Sequence, residues 1–591
     1  MRKIIKSIVA VTLSLATLGT VAGCGGGNEN KVDATGTIVI EPFANSSFGL
    51  AWIEKMAENW KAETGSQFKV LVKKNSTLLS GSQLDVIEAT NTDIYFGSEA
   101  MYNSGFYKGY FEDLSDLLDV KPDGENGKTI REKIPNYDTS WKKLSSIVKY
   151  NAPAGVAMEE RFNDEYFSYE GCYLLPFSTT FTGILYDHDL FVSQGLMEFA
   201  EPTSEVKAAL TEQGITYEES DGALIFKSAT NRTNFTEGDE ILTAGKDGKY
   251  GTYDDGQPQT FAELEVLCNK IMAKGRKPFL YSDTEEYATN LFNAYMVQKH
   301  GMPLYTALSY FDSQGEAIKM KDGSSKVISW NNGYEVYSVE GIEGAASLIK
   351  KYFIDGNSES RYYRTTSTFG DARDEFVTNN ANNKMEMIID GNWFVTGADS
   401  ILRENRKDPD TIDYRFMLLP EIEGQKGIDG NGKGSVVNAP ETGGIAVRKQ
   451  PANNPEKLEA IKSFLTYMLK NDTLSWVTQS TGCLLNYDYT LTDEQIGAMP
   501  QFYQTCYDLF HDTENVFVTK YSVDKLVAPM RYSSNNIYSY SMIPLGSNDS
   551  NSIISTMKGG MAASKLADIV AAMYSKADWE QIIDDTIQKL S

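Results

Sequence analysis

The sequence predicts an α/β protein of more than one lobe, and three observations predict it. Its 591 residues far exceed the roughly 150 of one ordinary domain. Its first periodic segments alternate strand, helix and strand, the opening of a wound sheet with parallel strands. Two later helices carry clear start signals, a Thr260-Phe261-Ala262-Glu263 capping box and an Asn454-Pro455-Glu456 start.

The chain begins with a basic, apolar stretch. Arg2, Lys3 and Lys6 precede a mostly apolar run from Ile8 to Val21, and Val21-Ala22-Gly23-Cys24 resembles the lipobox of exported bacterial lipoproteins. On that reading residues 1–23 are a signal peptide and Cys24 carries a diacylglycerol. Residues 24–35, opening with Gly25-Gly26-Gly27, are then a flexible tether on the extracellular face of the cell membrane. An ordinary cleaved signal peptide with an incidental cysteine is the alternative.

Thr37-Ile38-Val39-Ile40 reads as a strand. Leu50, Ile53, Met56, Ala57 and Trp60 recur at helical spacing up to Gly65, a residue suited to a C-cap. Phe68 to Val72 and Asp93-Ile94-Tyr95-Phe96 read as further strands. After the Thr260 box, Leu264, Leu267, Cys268 and Ile271 form a buried stripe ending near Gly275. After Asn454, Leu458, Ile461, Leu465 and Met468 do the same. The polar stretch of about 201–257 reads as an insertion, and Glu421 to Pro440 as a second loop.

A formal charge of −26 excludes nucleic acid as a natural partner, because phosphate backbones would be repelled. Loss of the leader, with its three cations, makes the remainder more acidic still. No segment beyond the leader is apolar enough to span a membrane. Cys172, Cys268, Cys483 and Cys506 show no metal-ligand spacing. Cys268 reads as a buried thiol, and a disulfide among the others stays open. The 34 tyrosines suit the capture of sugars or peptides from water, although most tyrosines in any chain serve packing. His188, His300 and His511 stand in no catalytic motif, and no phosphate-binding or nucleophile motif occurs. Two unrecognised carboxylates could still make a lipid-anchored glycoside hydrolase.

One stretch has ion-loop spacing. Asp247-Gly248-Lys249-Tyr250-Gly251-Thr252-Tyr253-Asp254-Asp255-Gly256 alternates oxygen ligands with glycines, so Asp247, Asp254 and Asp255 are candidate ligands for a structural calcium ion. Lys249 at the third position and the lack of a closing glutamate depart from the EF-hand, and an Asp-Gly turn cluster is the competing reading. No other cofactor is called for.

Five patterns in order now resemble the solute-binding proteins of carbohydrate-type ABC importers, the group of maltose-binding protein. They are the Cys24 lipobox; Asp93-Ile94-Tyr95-Phe96 with Phe111-Glu112-Asp113-Leu114; Leu175-Pro176 leading to Gly183-Ile184-Leu185-Tyr186-Asp187-His188-Asp189-Leu190-Phe191; Met387-Ile388-Ile389-Asp390-Gly391-Asn392-Trp393; and Glu441-Thr442-Gly443-Gly444-Ile445-Ala446-Val447. His188 departs from the more usual asparagine-lysine pair. The resemblance implies a two-lobed periplasmic-binding-protein-like fold (type II), with the ligand in a cleft between lobes and a hinge of crossing strands. Lobe one is expected at 36–176 plus 441–495, and lobe two at 177–440 plus 496–591. The implied function is a non-enzymatic, monomeric receptor that captures an extracellular oligosaccharide and delivers it to a permease with a cytoplasmic ATPase. A peptide or other solute is the alternative cargo.

The resemblance also implies site residues. Trp393, of the Gly-x-Trp pattern, is expected to stack on a sugar ring, with a core tryptophan as the alternative reading. Ser178 and Thr180 fall in the cleft-lining crossing, and Tyr532 and Tyr538 in a late segment where relatives place another aromatic. Glu99 and Tyr102 follow the strand at 93–96, and Asp283, Glu285 and Tyr287 follow the strand-like 278–280, where ligands of α/β sheets sit. Asp390 and Glu441 could accept hydrogen bonds from sugar hydroxyls. Each of these polar residues fits a solvated loop equally well.

Overall fold

A computed structural model describes residues 35–42, 48–74, 87, 90–98, 109–157, 160–161, 163–282, 285–354, 363–366, 368–384, 386–427, 430–432, 434–439, 442–451, 453–520, 560–572 and 574–590. Cys24, Glu99, Tyr102, Asp283, Glu441, Tyr532 and Tyr538 lie outside these residues. No helix among them is long and apolar enough to cross a membrane.

Two mixed sheets organise the described chain. The first has six strands in the order Leu484–Leu485, Leu175–Thr179, Thr442–Val447, Ile94–Ser98, Thr37–Glu41, Lys69–Val72. Thr37–Glu41 runs parallel to both Lys69–Val72 and Ile94–Ser98, as the strand-helix-strand start requires. The connecting helix, Ala51–Thr64, buries Trp52, Ile53, Met56, Ala57 and Trp60 and ends at Gly65 in the left-handed region. Thr442–Val447 is antiparallel to Ile94–Ser98 and to Leu175–Thr179.

The second sheet has seven strands. Tyr363–Thr366, Phe279–Ser282, Met387–Gly391, Thr182–Asp187, Ser435–Ala439 and Val516–Lys520 lie in that order, and Tyr414–Met417 pairs beside Thr182–Asp187. Both of its faces are buried, and alternation shows it: Ile184, Tyr186, Phe279, Met387, Ile389 and Met417 enter one core, while Leu185, Leu280, Ile388 and Phe416 enter the other. The first lobe has a core of its own, with Trp52 stacked on Phe177 at 5.7 Å and Trp60 edge-on to Phe464 at 5.5 Å.

Two helix starts illustrate how sequence sets local structure. Thr260 Oγ1 accepts from the Glu263 amide, the Glu263 carboxylate accepts from the Thr260 amide, and Phe261–Ala273 buries Leu264, Leu267, Cys268 and Ile271. Asn454 makes no side-chain cap bond, so Pro455–Met468 starts on the preset φ of its proline. That helix buries Lys457 more deeply than Leu458, one position away from the expected stripe.

The reason is Asp93. This carboxylate is fully buried at the foot of its strand, where Oδ2 accepts from the Val39 amide at 2.8 Å and meets Lys457 Nζ at 2.8 Å. Oδ1 accepts from Gln450 Nε2 at 3.3 Å and faces Arg448 at 3.6 Å. One side chain thus ties together two strands, the end of a third and a helix.

The stretch at 201–257 folds into a small unit. Helix Ser204–Glu212 and the hairpin of Ile215–Ser220 with Ala223–Ala229 enclose Leu210, Ile215, Leu224, Phe226 and Ile241. Asp221 and Gly222 both have positive φ, the two-residue turn that matches hairpin twist. The expected loop at Glu421–Pro440 needs correction: Ser435–Ala439 is a strand of the second sheet, a short β-branched run concealed by glycines on its N-terminal side.

Removing the charge of Asp93 leaves Lys457 buried without its counterion. Asp93→Asn is expected to cost about 3–5 kcal/mol in urea unfolding, with Asp93→Asn/Lys457→Met recovering part of the loss. A cost near zero would contradict this assignment.

Candidate functional site

Among the strands described, the chain passes between the sheets at Thr180-Phe181, between 439 and 442, and between 485 and 516. Strand register shows which edges face these crossings. In the first sheet Ser98 lies opposite Gly443, and Thr179 opposite both Thr442 and Leu484. In the second, Thr182 lies opposite Gly391 and Asn438, Ser282 opposite Thr366, and Ala439 opposite Lys520. The carboxyl ends of the parallel strands in both sheets therefore lie at the edges joined by the crossings. That is the edge at which α/β sheets hold their ligands.

The Thr180-Phe181 crossing is fixed on both sides. Thr179 Oγ1 donates to Asn486 Oδ1, and the Asn486 amide donates to the Phe177 carbonyl at 3.0 Å. Beyond the crossing, the Phe181 amide donates to Asn392 Oδ1 at 3.2 Å, and the Asn392 amide returns a bond to the Phe181 carbonyl at 3.1 Å. The Phe181 ring anchors the turn edge-on to Phe416 at 4.9 Å. Asn392 thus has a definite task that its sequence context did not disclose, because an asparagine after a strand reads as an ordinary turn residue.

The residues around Asn392 divide the work. Trp393 is half-buried and packs against the larger core of the second lobe. Its six-membered ring lies over Gly391, where an added Cβ would come within 2.3 Å of the ring. Only glycine permits that approach. Asp390 is almost completely buried, accepts from Arg373 Nη2 at 3.1 Å and from the Gly391 amide at 2.7 Å, and so serves the protein first. Arg373 also lies over the Phe394 ring at 5.4 Å.

The other expected residues disperse. Ser178 is buried against Gly443 and Cys483, and Thr180 is half-buried in the crossing itself. Glu285 and Tyr287 stand in the first turn of helix Glu285–His300, which follows Phe279–Ser282. The backbone brings 178, 180, 391 and 393 to the crossing edge, and the helix carrying 285 and 287 starts after the carboxyl end of Phe279–Ser282 on that side.

Asp247, Asp254 and Asp255 do cluster, but around their own loop. Thr252 Oγ1 donates to Asp254 Oδ1 at 2.9 Å and Asp255 Oδ1 at 3.0 Å, and the amides of Asp247, Lys249 and Gly251 donate to Asp254, Asp247 and Asp255. Their spacing thus serves the loop's backbone amides, whose positions favour carboxylate acceptors. Burial, with repulsion from Asp254, pushes the Asp247 carboxyl up to about 7 and raises Asp255; burial raises Asp254. Tyr253 ties the loop to helix Gln501–His511 by donating to Asp512 at 2.8 Å.

No family profile and no curated protein matches the sequence. Among solved structures, the chain is similar to the GacH receptor of Streptomyces glaucescens GLA.O, studied unliganded and with acarbose and an acarbose homologue. The identity is 13% and the TM-score 0.47, over 93% of this chain and 99% of that one.

A carboxyl whose folded pKa exceeds its unfolded one favours the protonated folded state. The stability it contributes is complete below its ordinary value of 3.8 and is lost as pH rises through about 7. Urea unfolding at about pH 5 and pH 8 is expected to show stability falling, with Asp247→Asn removing about 1–2 kcal/mol of that fall after allowance for solvent screening. An unchanged pH profile in the variant would contradict the repulsion.

Proposed function

We propose that this protein is a receptor that captures an oligosaccharide in the cleft between its two α/β lobes and delivers it to an ABC permease. The observation that carries this reading is the meeting of both sheets' carboxyl edges at the strand crossings, with the half-buried ring of Trp393 at that edge. A flat aromatic face offers the CH side of a pyranose burial without charge. The resemblance of the Asp390-Gly391-Asn392-Trp393 region to carbohydrate-type solute-binding proteins supports the same cargo.

The mechanism is capture coupled to closure. Ligand that touches both lobes binds the closed arrangement more tightly and shifts the population toward it, which a permease can read as shape. The crossings supply the hinge. In this reading Cys24 holds the receptor at the outer face of the membrane through its lipid, the tether gives it reach, and no bond of the sugar is broken.

Calorimetric titration of the purified protein with a panel of oligosaccharides, each recovered and weighed by mass spectrometry, tests the proposal. Saturable binding of at least one sugar, recovered intact, is expected, and Trp393→Ala is expected to weaken it at least tenfold, about 1.4 kcal/mol. Shortened products would replace the receptor with a glycoside hydrolase. Binding of a peptide with no response to any sugar would replace the cargo.

A further inference from the structure

At the end of strand Thr182–Asp187 away from the crossing, the chain turns into helix His188–Ser193. The strand Tyr414–Met417 begins beside it, with Tyr414 opposite Asp187 and the His188 amide donating to the Asp413 carbonyl at 2.9 Å. This backbone bond sets the His188 side chain against the Asp413 carboxylate, and His188 Nδ1 stands 3.4 Å from Asp413 Oδ2. Asp189, next along the helix and exposed, completes the group.

His188 is only 7% exposed, and neither of its ring nitrogens has a hydrogen-bond partner. A buried imidazole in that condition is destabilising if nothing meets it, and an ordinary core histidine avoids this by bonding a carbonyl or hydroxyl. Here one ligand atom each from His188, Asp189 and Asp413 lies within 4.8 Å of the others, and among the described residues this is the group that converges so. We propose that His188, Asp189 and Asp413 bind a divalent transition metal ion, zinc foremost.

The donor set chooses the metal. One imidazole nitrogen with two carboxylates suits zinc, which takes nitrogen and oxygen ligands at four-coordinate sites and completes its shell with water. Calcium and magnesium prefer oxygen alone.

The surroundings orient the ligands. Arg415 grips Asp413 through Nε at 2.9 Å and Nη2 at 2.6 Å, fixing the carboxylate that faces His188. Asp187 is turned to other work, capping Leu190 at 3.0 Å and pairing with Lys407 at 3.1 Å, and is not among the converging ligand atoms. The exposed Asp189 leaves an entry from solvent. A bound ion would pin the helix His188–Ser193 to the strand Tyr414–Met417, far from the crossing edge, so the site is structural and independent of the sugar reading.

The test uses the purified full chain after dialysis against EDTA, titrated with zinc chloride in a calorimeter and with cobalt(II) in parallel by visible absorption. Uptake of one zinc per chain, a rise in Tm, and cobalt bands of a low-coordinate site are expected, while magnesium gives no response. His188→Gln and Asp189→Asn should each weaken zinc binding on the order of 100-fold. Because Asp189 is exposed, its variant keeps the fold and decides the matter if the histidine variant does not. No saturable zinc uptake by the parent chain, or uptake unchanged in Asp189→Asn, would overturn the proposal.

Discussion

The pair of hydrogen bonds between Asn392 and Phe181 is the constraint on which the candidate cleft depends. A chain leaving one sheet for another exposes amides that neither ladder satisfies, and a buried unpaired amide is costly. Asn392 meets those of Phe181 from the second lobe, while Thr179 and Asn486 close the account on the first. The crossing is thus tied by hydrogen bonds to both sheets. Everything placed relative to it inherits that definition.

Trp393 is the clearest case. Its position follows from three consecutive residues with three unlike tasks: Asp390 neutralised by Arg373, Gly391 kept without a Cβ, and Asn392 bonded to the crossing. The ring is held at the edge by packing on bare backbone, which leaves little freedom to lose on binding the proposed ligand. Such preorganisation is where affinity is gained for a small neutral ligand. The first lobe is braced separately through Asp93 and Lys457, so that in the proposed closure the crossings are the place for movement.

Much of this was legible in the residues, in unequal measure. The Thr260 capping box, the apolar stripe behind it and the parallel strand-helix-strand start follow from local spacing; the box and its stripe appear as expected, while the first helix also buries Trp52 and the second strand begins at Lys69. Long-range pairing was not legible. Ser435–Ala439 reads as loop because its partner lies some eighty residues on, at Val516–Lys520, and its short run sits behind glycines. The burial of Lys457 is not visible locally because its counterion is Asp93, more than three hundred residues earlier. The aspartates near 250 read as candidate ion ligands from their spacing, which does not disclose that they also accept from the loop's own amides. Asp390 and Trp393 were visible as a motif, yet only Arg373, remote in sequence, reveals that the carboxylate is already engaged.

The central claim is that the two lobes close on a sugar about the crossings, and solution X-ray scattering of the protein with and without its tightest-binding oligosaccharide tests it most directly. The account predicts a smaller radius of gyration with the sugar bound, a change absent in Trp393→Ala at the same sugar concentration. Saturable binding with no change in the scattering profile would contradict it, and would make the cleft a rigid pocket in which capture carries no signal to a partner.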